Sequence, residues 1–374
     1  MIERALIVGG GVGGMSAGIA LARLGVAVEL IDLDPEWRSY GAGISVTGMS
    51  LRAFDQLGIL ADVRREGFIG SGIRLRAADG SVVMESPSPP PGQTAAPIDC
   101  SGGIMRPALH AIMQGETRAA GVAITLGVSP KGYAEGDDGV TVTLSDGSTR
   151  LVDLVVAADG IFSQTRQLLF PQAAAPRFTG QGCWRIVADR PAGLDRPEIW
   201  IGGPVKLGLN PISADKIYAF ILEHVPDNPW FAEDDMLPHV AQLLAPFGGD
   251  ITAIRENLGP DSLVNYRPLE WQLLPQPWHK GRVVLIGDAA HATTPHMASG
   301  AGAAVEDGLA LAEEIARTDD VDAALTAFAE RRFDRVRLIV ENSVRIGEIE
   351  MAGGNQMDAN KMLGGTMQQL KEPF

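Results

Sequence analysis

A short apolar run, Ala5-Leu6-Ile7-Val8, leads into Gly9-Gly10-Gly11-Val12-Gly13-Gly14, and a helix-forming stretch follows from about Met15 to Leu24. A second run, Val26 to Ile31, ends in Asp32, eighteen residues past Gly14. Few folds accommodate that order: strand, glycine turn, helix, then a strand with an acidic tip is the dinucleotide-binding unit. In it Gly9 makes the tight turn and Gly11 lets a pyrophosphate approach the backbone. Gly14 lets the helix lie close on the strand, while Val12 and Gly13 complete the loop. Asp32 is placed to hold a ribose hydroxyl, whereas Asp34 falls past the end of the strand. A glycine-rich turn without a ligand is the other reading of the same residues.

Two more strands end in acids. Val283-Val284-Leu285-Ile286 stops at Gly287, so the carboxylate of Asp288 projects from the strand end, followed by Ala289-Ala290-His291. The loop Pro295-His296-Met297-Ala298-Ser299-Gly300-Ala301-Gly302 comes next, with a helix expected to open near Ala303. Free N–H groups at such an opening favour negative charge, by up to about 2 kcal/mol when partly buried. Strand, acid, small-residue loop and helix start make a socket for a polar planar ligand. Locally, an ordinary turn with Asp288 capping the backbone fits as well. Leu154 to Ala158 is the third such strand, ending in Asp159-Gly160 and leading to Ser163 and Arg166.

Length and composition narrow the class. The 374 residues suffice for two domains, and 45% hydrophobic with 21% charged residues is a globular composition. A net charge of −15 argues against a nucleic acid or an anionic membrane as partner. Cys100 and Cys183 are the only cysteines and have no metal-ligand spacing, so neither a metal site nor a disulfide framework is expected. With no signal-like start and no apolar run of spanning length, the expectation is a soluble, cytoplasmic protein.

Along the rest of the chain, Arg38 faces either a phosphate or solvent, and an amphipathic helix is expected to run to about Leu60. Asp79-Gly80 joins a hairpin of Ile73–Ala78 with Ser81–Glu85. Pro87, Pro89, Pro90, Pro91 and Pro97 mark an irregular loop. A helix from Pro107 to about Ala120 follows Arg106, which reaches a bound phosphate or lies on the surface. From Phe178 to Leu274 the pattern alternates as in an antiparallel sheet, with one helix near Asp234–Ala245. Arg185 and Tyr218 lie on strands of that sheet, on a face that alternation alone does not fix. Helices are expected over Ala303–Ala316 and, unusually long, over about Asp322–Met351.

Gly9-x-Gly11-x-x-Gly14, Asp159-Gly160-x-x-Ser163-x-x-Arg166, and Gly287-Asp288-Ala289-Ala290-His291 with Pro295 stand in one order. This set resembles the single-component FAD-dependent aromatic hydroxylases related to para-hydroxybenzoate hydroxylase, most nearly the salicylate and 6-hydroxynicotinate hydroxylase branch. The resemblance implies noncovalent FAD, with NAD(P)H and O₂ as co-substrates and a C4a-hydroperoxide attacking a small activated ring. It implies that the first motif holds the FAD pyrophosphate, Asp32 the adenosine ribose and Asp288 the ribityl chain. The Asp159 motif serves FAD and NAD(P)H, with Arg166 as a steering charge; Arg106 contacts FAD and Val128 offers backbone to adenine. The helix start at Gly300, Ala301, Gly302 and Ala303 stabilises charge on reduced flavin. His296, Arg185 and Tyr218 become the candidates on the substrate side, although the imidazole equally suits a bond to a carbonyl, and His291 a structural role.

The chain departs from the family's pattern at Asp32-Leu33, where Glu and a basic residue are usual. It departs again at Ala298 and Gly302, where the loop usually has Gly and Asn. The fold implied is α/β: a Rossmann-like FAD-binding domain with a parallel sheet (1–72, 101–176 and 275–374), a mainly antiparallel substrate-binding sheet domain (73–100 and 177–274), and a long C-terminal helix. A monomer or homodimer acting on a small, carboxylated, phenolic or hydroxypyridine-like ring is expected. Baeyer–Villiger oxidation, epoxidation or plain reduction on the same fold, or flavin binding without catalysis, are the alternatives. Halogenation is disfavoured, because Trp184-Arg185-Ile186 is not the Trp-x-Trp-x-Ile-Pro of flavin halogenases.

Overall fold

The apolar runs at Arg4–Val8, Ala27–Asp32, Leu154–Ala157 and Val283–Leu285 are too short for helices, and each is covered on both sides. In the computed structural model, which describes residues 2–39, 41–86, 96–353 and 356–374, they form the middle of a six-stranded sheet. The order is His279–Lys280, Val283–Leu285, Leu154–Ala157, Arg4–Val8, Ala27–Asp32, Ala123–Leu126, parallel except for the first pair. Side chains alternate between two cores. Ala5, Ile7, Val28, Leu30, Leu154, Val156 and Val284 face the helices, among them Val12–Arg23 and Gly300–Arg317. Leu6, Val8, Ile31, Val155 and Val283 face the opposite way, against Val140, Val142 and Val152 of a three-stranded antiparallel sheet. Burial on both faces explains why these strands read as unbroken apolar runs.

The second large sheet has seven strands, ordered Leu263–Trp271, Arg177–Asp189, Lys216–His224, Lys206–Pro211, Glu198–Ile201, Arg74–Ala77, Val82–Glu85. It is antiparallel apart from the pairing of Glu198–Ile201 with Arg74–Ala77. Here alternation divides core from site. Trp184, Ile186, Ile217, Ala219, Ile221, Leu207 and Leu209 point into a core closed by the helices Glu233–Leu244 and Asp250–Glu256. Cys183, Arg185 and Val187 share the other face with Tyr218, Phe220 and Leu222, their register partners being Leu222, Phe220 and Tyr218 respectively. That face turns toward a three-stranded antiparallel sheet formed by Gly43–Val46, Ser101–Met105 and Phe68–Gly70. Tyr218 lies directly beneath Gly43, where an added Cβ would sit 2.5 Å from the Tyr218 Cβ. Asn210 hydrogen-bonds Ser45 across the same junction.

Several expected boundaries move. The helix expected to reach Leu60 is two, Gly48–Gln56 and Leu60–Glu66, because Gly58 takes a left-handed φ of +83° between them. Arg106 opens the helix that ends at Ala119, so it sits on the first turn and not before it. The long helix spans Val321–Met351, and a further one at Gln356–Gln369 carried no clear signal. The short strands Gly43–Val46, Phe68–Gly70 and Ser101–Met105 also escaped notice, being Gly-rich and brief. Pro87, Pro89, Pro90 and Pro91 lie outside the described residues, while Pro97 begins a 3₁₀ turn to Asp99. No described helix is long and apolar enough to cross a membrane.

Candidate active site

The glycine loop, Asp32, Asp159 and Asp288 all stand at the carboxyl ends of parallel strands, where an open α/β sheet offers its crevice. Gly9 has φ +102°, and a Cβ there would meet the Ala158 carbonyl oxygen at 2.4 Å. At Gly14 a Cβ would lie 1.9 Å from the Gly9 carbonyl oxygen, so only glycine lets the helix sit on this strand. Gly11 is different: nothing in the protein comes within 4 Å of a Cβ added there. The space beyond it is free, at the end of a helix whose first-turn N–H groups have no partners within the helix. That cradle fits the pyrophosphate of a dinucleotide. The carboxylate of Asp32 accepts from Gly10 N–H at 2.6 Å and from Asp34 N–H at 2.7 Å, which orients it and leaves lone pairs for hydroxyls. Trp37, not singled out in the sequence, donates from Nε1 to the Gly10 carbonyl at 2.9 Å and so holds the loop.

Asp288 meets solvent, yet the protein around it is dense enough that burial raises its carboxyl pKa, with His291 and Arg106 acting the other way. Contact with solvent inside such an enclosure describes the wall of a deep recess. Arg106 lines the same recess: burial lowers its pKa first and the neighbouring Arg185 adds to that, while Tyr218 and Asp288 oppose them. Among the described residues no carboxylate pairs with Arg185. The groups acting on it are burial, which opposes its charge, and Cys183 and Tyr218, which bring its pKa above the ordinary value. Burial pushes the Tyr218 phenol up to about 12. The parallel-sheet crevice and the polar face of the antiparallel sheet therefore meet at one recess, with Asp288 on one side and Arg185 and Tyr218 on the other.

Other expected site residues fall differently. Arg166 is 2% exposed and donates to the carbonyls of Ala289, at 2.8 Å, and Ile161, at 2.6 Å. It is a buried strut between the Asp159 and Asp288 turns, which corrects the expectation of a steering charge. Asp159 accepts from Ser163 Oγ at 2.5 Å and Thr165 N–H at 2.9 Å. Arg38 is exposed and paired with Glu36 at 2.7 Å, and Leu33 is exposed as well. The Val128 N–H is taken by the Asp32 carbonyl at 3.1 Å, so only its carbonyl is left for a ligand. The helix expected to open near Ala303 begins at Gly300, so Gly300, Ala301 and Gly302 carry the free N–H groups, while the Ala303 N–H is taken by the Ser299 carbonyl at 2.9 Å. Gly302 also serves packing, since a Cβ there would lie 2.5 Å from Ser50 Oγ. His296 is buried, with Nδ1 2.9 Å from Thr294 Oγ1 and Nε2 3.5 Å from Glu350 Oε2 of the long helix. Burial, aided by Lys206, pushes its pKa down to about 3, so the imidazole is neutral at ordinary pH. Among the described residues no His, Cys, Asp and Glu gather as a metal site.

A glycine-cradled crevice with acids at three strand ends, closed by a second sheet, defines a dinucleotide-binding flavoprotein. Residues 3–220 and 252–343 match the family described as FAD binding domain. The chain belongs to this FAD-binding family of flavoprotein aromatic hydroxylases. It is 29% identical to a putative FAD-dependent monooxygenase, YetM, of Bacillus subtilis, over 100% of both chains. It is 32% identical to the aurachin C monooxygenase/isomerase of Stigmatella aurantiaca, over 92% of this chain and 88% of that one. Among solved structures, Klebsiella pneumoniae HpxO complexed with FAD and uric acid is similar, with a TM-score of 0.83 and 25% identity over 99% of this chain and 93% of that one.

Proposed function

We propose that this chain is an FAD-dependent, NAD(P)H-consuming monooxygenase that hydroxylates a small aromatic or N-heteroaromatic ring bearing a hydroxyl and an anionic group. The observation that carries the reading is Arg185: a cation on the inner sheet face, facing the recess, without a carboxylate partner among the described residues. In a chain of net charge −15, a guanidinium kept free of acids is kept for an anion from outside. Relatives named for 3-hydroxybenzoate and urate hydroxylation are consistent with such ring substrates.

FAD held here would supply, with NAD(P)H and O₂ as co-substrates, an electrophilic oxygen for the ring. Gly9, Gly11, Val12, Gly13 and Gly14 would cradle its pyrophosphate, Asp32 would hold its ribose and Asp288 its ribityl hydroxyls. The free N–H groups of Gly300, Ala301 and Gly302 favour the negative charge of the reduced ring system. Arg185 and Tyr218 orient the substrate, and the apolar neighbours Phe220 and Leu222 keep water from it. The sequence contains a single dinucleotide fingerprint, and FAD takes it, so the nicotinamide visits transiently. We assign 1–72, 101–176 and 275–374 to the flavin domain and 73–100 and 177–274 to the substrate domain, in a cytoplasmic monomer or homodimer.

The test is kinetic. NAD(P)H consumption is measured with a panel of hydroxybenzoates and hydroxypyridine carboxylates, with products identified by mass. Arg185→Met should raise KM for a carboxylated substrate far more than for its uncharged analogue. Equal changes for both would remove Arg185 from substrate binding.

A further inference from the structure

Three guanidiniums close on one buried carboxylate behind the turn that carries Asp288. Glu306, fully buried, pairs with Arg332 at 2.9 Å, with Arg335 at 2.8 Å and with Arg52 of the Gly48–Gln56 helix at 3.4 Å. Arg332 is shared, since its Nε also pairs with Asp307 at 2.8 Å. The two buried acids thus face three cations. Further acceptors come from the main chain of residues 370–374. Arg52 donates to the carbonyls of Leu370, Lys371 and Glu372 at 3.3, 2.6 and 3.0 Å, and Arg335 to those of Leu370 and Glu372 at 2.9 and 3.2 Å. The Leu370 side chain is buried in the main core, and the Arg331 and Arg332 guanidiniums lie 5.6 and 5.4 Å from the centre of the Phe374 ring.

A guanidinium has five donors, no acceptor and no neutral form at ordinary pH, so a buried one must find oxygens. Burial lowers the Arg52 pKa; Glu306 opposes that, and the neighbouring Arg335 adds to it. The two like charges stay side by side because both donate to the Glu306 carboxylate and to the Leu370 and Glu372 carbonyls. Were 370–374 to lift away, water would enter, weaken each ion pair and take the freed donors. From Glu306 the contacts continue without a gap. Arg332 holds Asp307, and Asp307 holds the Gly287 N–H and His291, at 2.8 and 2.6 Å, on either side of Asp288. Arg332 also donates to the Ala303 carbonyl at 3.2 Å, in the first turn of the helix that begins at Gly300.

We infer that segment 370–374 is a strap for the flavin site: docked on Arg52 and Arg335, it holds Glu306, Arg332 and Asp307 in the arrangement that presents Asp288 to the flavin. Arg52 and Arg335 are positioning residues, acting on the cofactor through three buried side chains. This coupling rests on Asp288 holding the flavin, the reading given above. Coupling between two sites is reciprocal, so by the factor that docking raises FAD affinity, FAD raises docking. The strap has two states, docked with its carbonyls on the guanidiniums or released to water, and FAD favours the first.

The experiment uses the full chain with and without FAD. Hydrogen exchange of 366–374, followed by mass, reads docking, because the N–H groups of Leu370, Lys371 and Glu372 bond back to Thr366, Gln368 and Gln369. At short exchange times, where local opening dominates, FAD should slow exchange there and leave the Glu233–Leu244 helix unchanged. Arg335→Met and Phe374→Ala should raise the FAD Kd, read by flavin fluorescence, by about 5- to 150-fold with the circular dichroism of the apoprotein unchanged. Arg335→Lys should recover part of that loss. In Asp307→Asn saturated with FAD the link is cut, and exchange of 366–374 should match that of the FAD-free protein. Exchange that FAD does not slow in the wild type, or slows equally in Asp307→Asn, would overturn the strap. So would unchanged FAD affinity in the two strap variants; should Arg335→Met not fold, Phe374→Ala decides alone. Asp288→Ala separates the two readings. If it weakens FAD binding while the strap variants do not, the strap alone fails; if it binds FAD as tightly as the wild type, the assignment of Asp288 to the flavin fails with it.

Discussion

His291 Nε2 lies 2.6 Å from Asp307 Oδ2, and the same oxygen accepts the Gly287 N–H at 2.8 Å. One carboxylate on the Gly300–Arg317 helix thus pins the chain on both sides of Asp288. Asp307 is in turn held by Arg332 of the long helix, at 2.8 Å, and Arg332 also pairs with Glu306 at 2.9 Å. All three are fully buried. Burial works against the Asp307 charge, but His291 and Arg332 outweigh it and hold the carboxyl below its usual range.

Breaking a buried pair on one side is costly because it leaves an uncompensated charge. Arg332→Met should therefore destabilise the protein by about 3–5 kcal/mol, measured by chemical denaturation. Asp307→Asn is the gentler variant: it should fold but bind FAD more weakly, because the turn carrying Asp288 loses its anchor. Full flavin affinity in Asp307→Asn would show that this turn holds its shape unaided.

Two glycines three residues apart, Gly11 and Gly14, should fail in different ways. Gly11→Val should fold, since no protein atom lies within 4 Å of a Cβ at that position, yet lose FAD because the side chain fills the cradle. Gly14→Val should not fold, its Cβ overlapping the Gly9 carbonyl oxygen at 1.9 Å. Circular dichroism and the flavin absorbance of the purified variants separate the two outcomes. A folded Gly11→Val that stays yellow would move the cofactor elsewhere.

Ala298 occupies a left-handed conformation, φ +48° and ψ +31°, at the end of the Pro295–Met297 turn. A Cβ is disfavoured there, and the resembling family has glycine at this position. Ala298→Gly should be neutral to stabilising, by up to about 1 kcal/mol, where an Ala-to-Gly change elsewhere usually costs stability. A clear fall in Tm would mean the loop is held by contacts of the methyl group.

Because His296 is buried neutral, acid should destabilise the fold through it. Its pKa falls from 6.5 to about 3 on folding, so between those pH values the unfolded chain binds the extra proton. Stability contributed by the neutral imidazole is complete above pH 6.5 and is lost as the pH drops toward 3, by up to about 1.4 kcal/mol per pH unit. Thermal melts between neutral and acid pH should show a shallower loss in His296→Gln than in the wild type. Identical slopes would indicate that water or Glu350 compensates the charged ring.

Much of this arrangement could be read from residues in order. The glycine spacing with Asp32 and the acids at 159 and 288 specify strand ends, and strand ends are where the crevice forms. Alternation could not say which face of the second sheet Arg185 and Tyr218 take, because both faces carry apolar residues; the register and the helices covering Trp184 and Ile186 decide it. Arg166 looked like a surface charge because the acceptors that bury it, the carbonyls of Ile161 and Ala289, are backbone atoms that leave no mark in side-chain chemistry. The packing role of Gly302 was hidden because sequence shows a missing side chain without showing that Ser50 fills the gap. Trp37 was invisible for a related reason: its value lies in one hydrogen bond to Gly10, made from a loop with φ +48°.

The most direct measurement of the central claim is the fate of oxygen. The FAD-loaded protein is supplied with NAD(P)H, ¹⁸O₂ and the hydroxyarene that most stimulates NAD(P)H oxidation, and the product is analysed by mass. One ¹⁸O atom per product molecule, in a new ring hydroxyl, with one NAD(P)H consumed for each, is the predicted result. NAD(P)H oxidation that yields only hydrogen peroxide with every ring offered, or a product whose new oxygen comes from water, would contradict it.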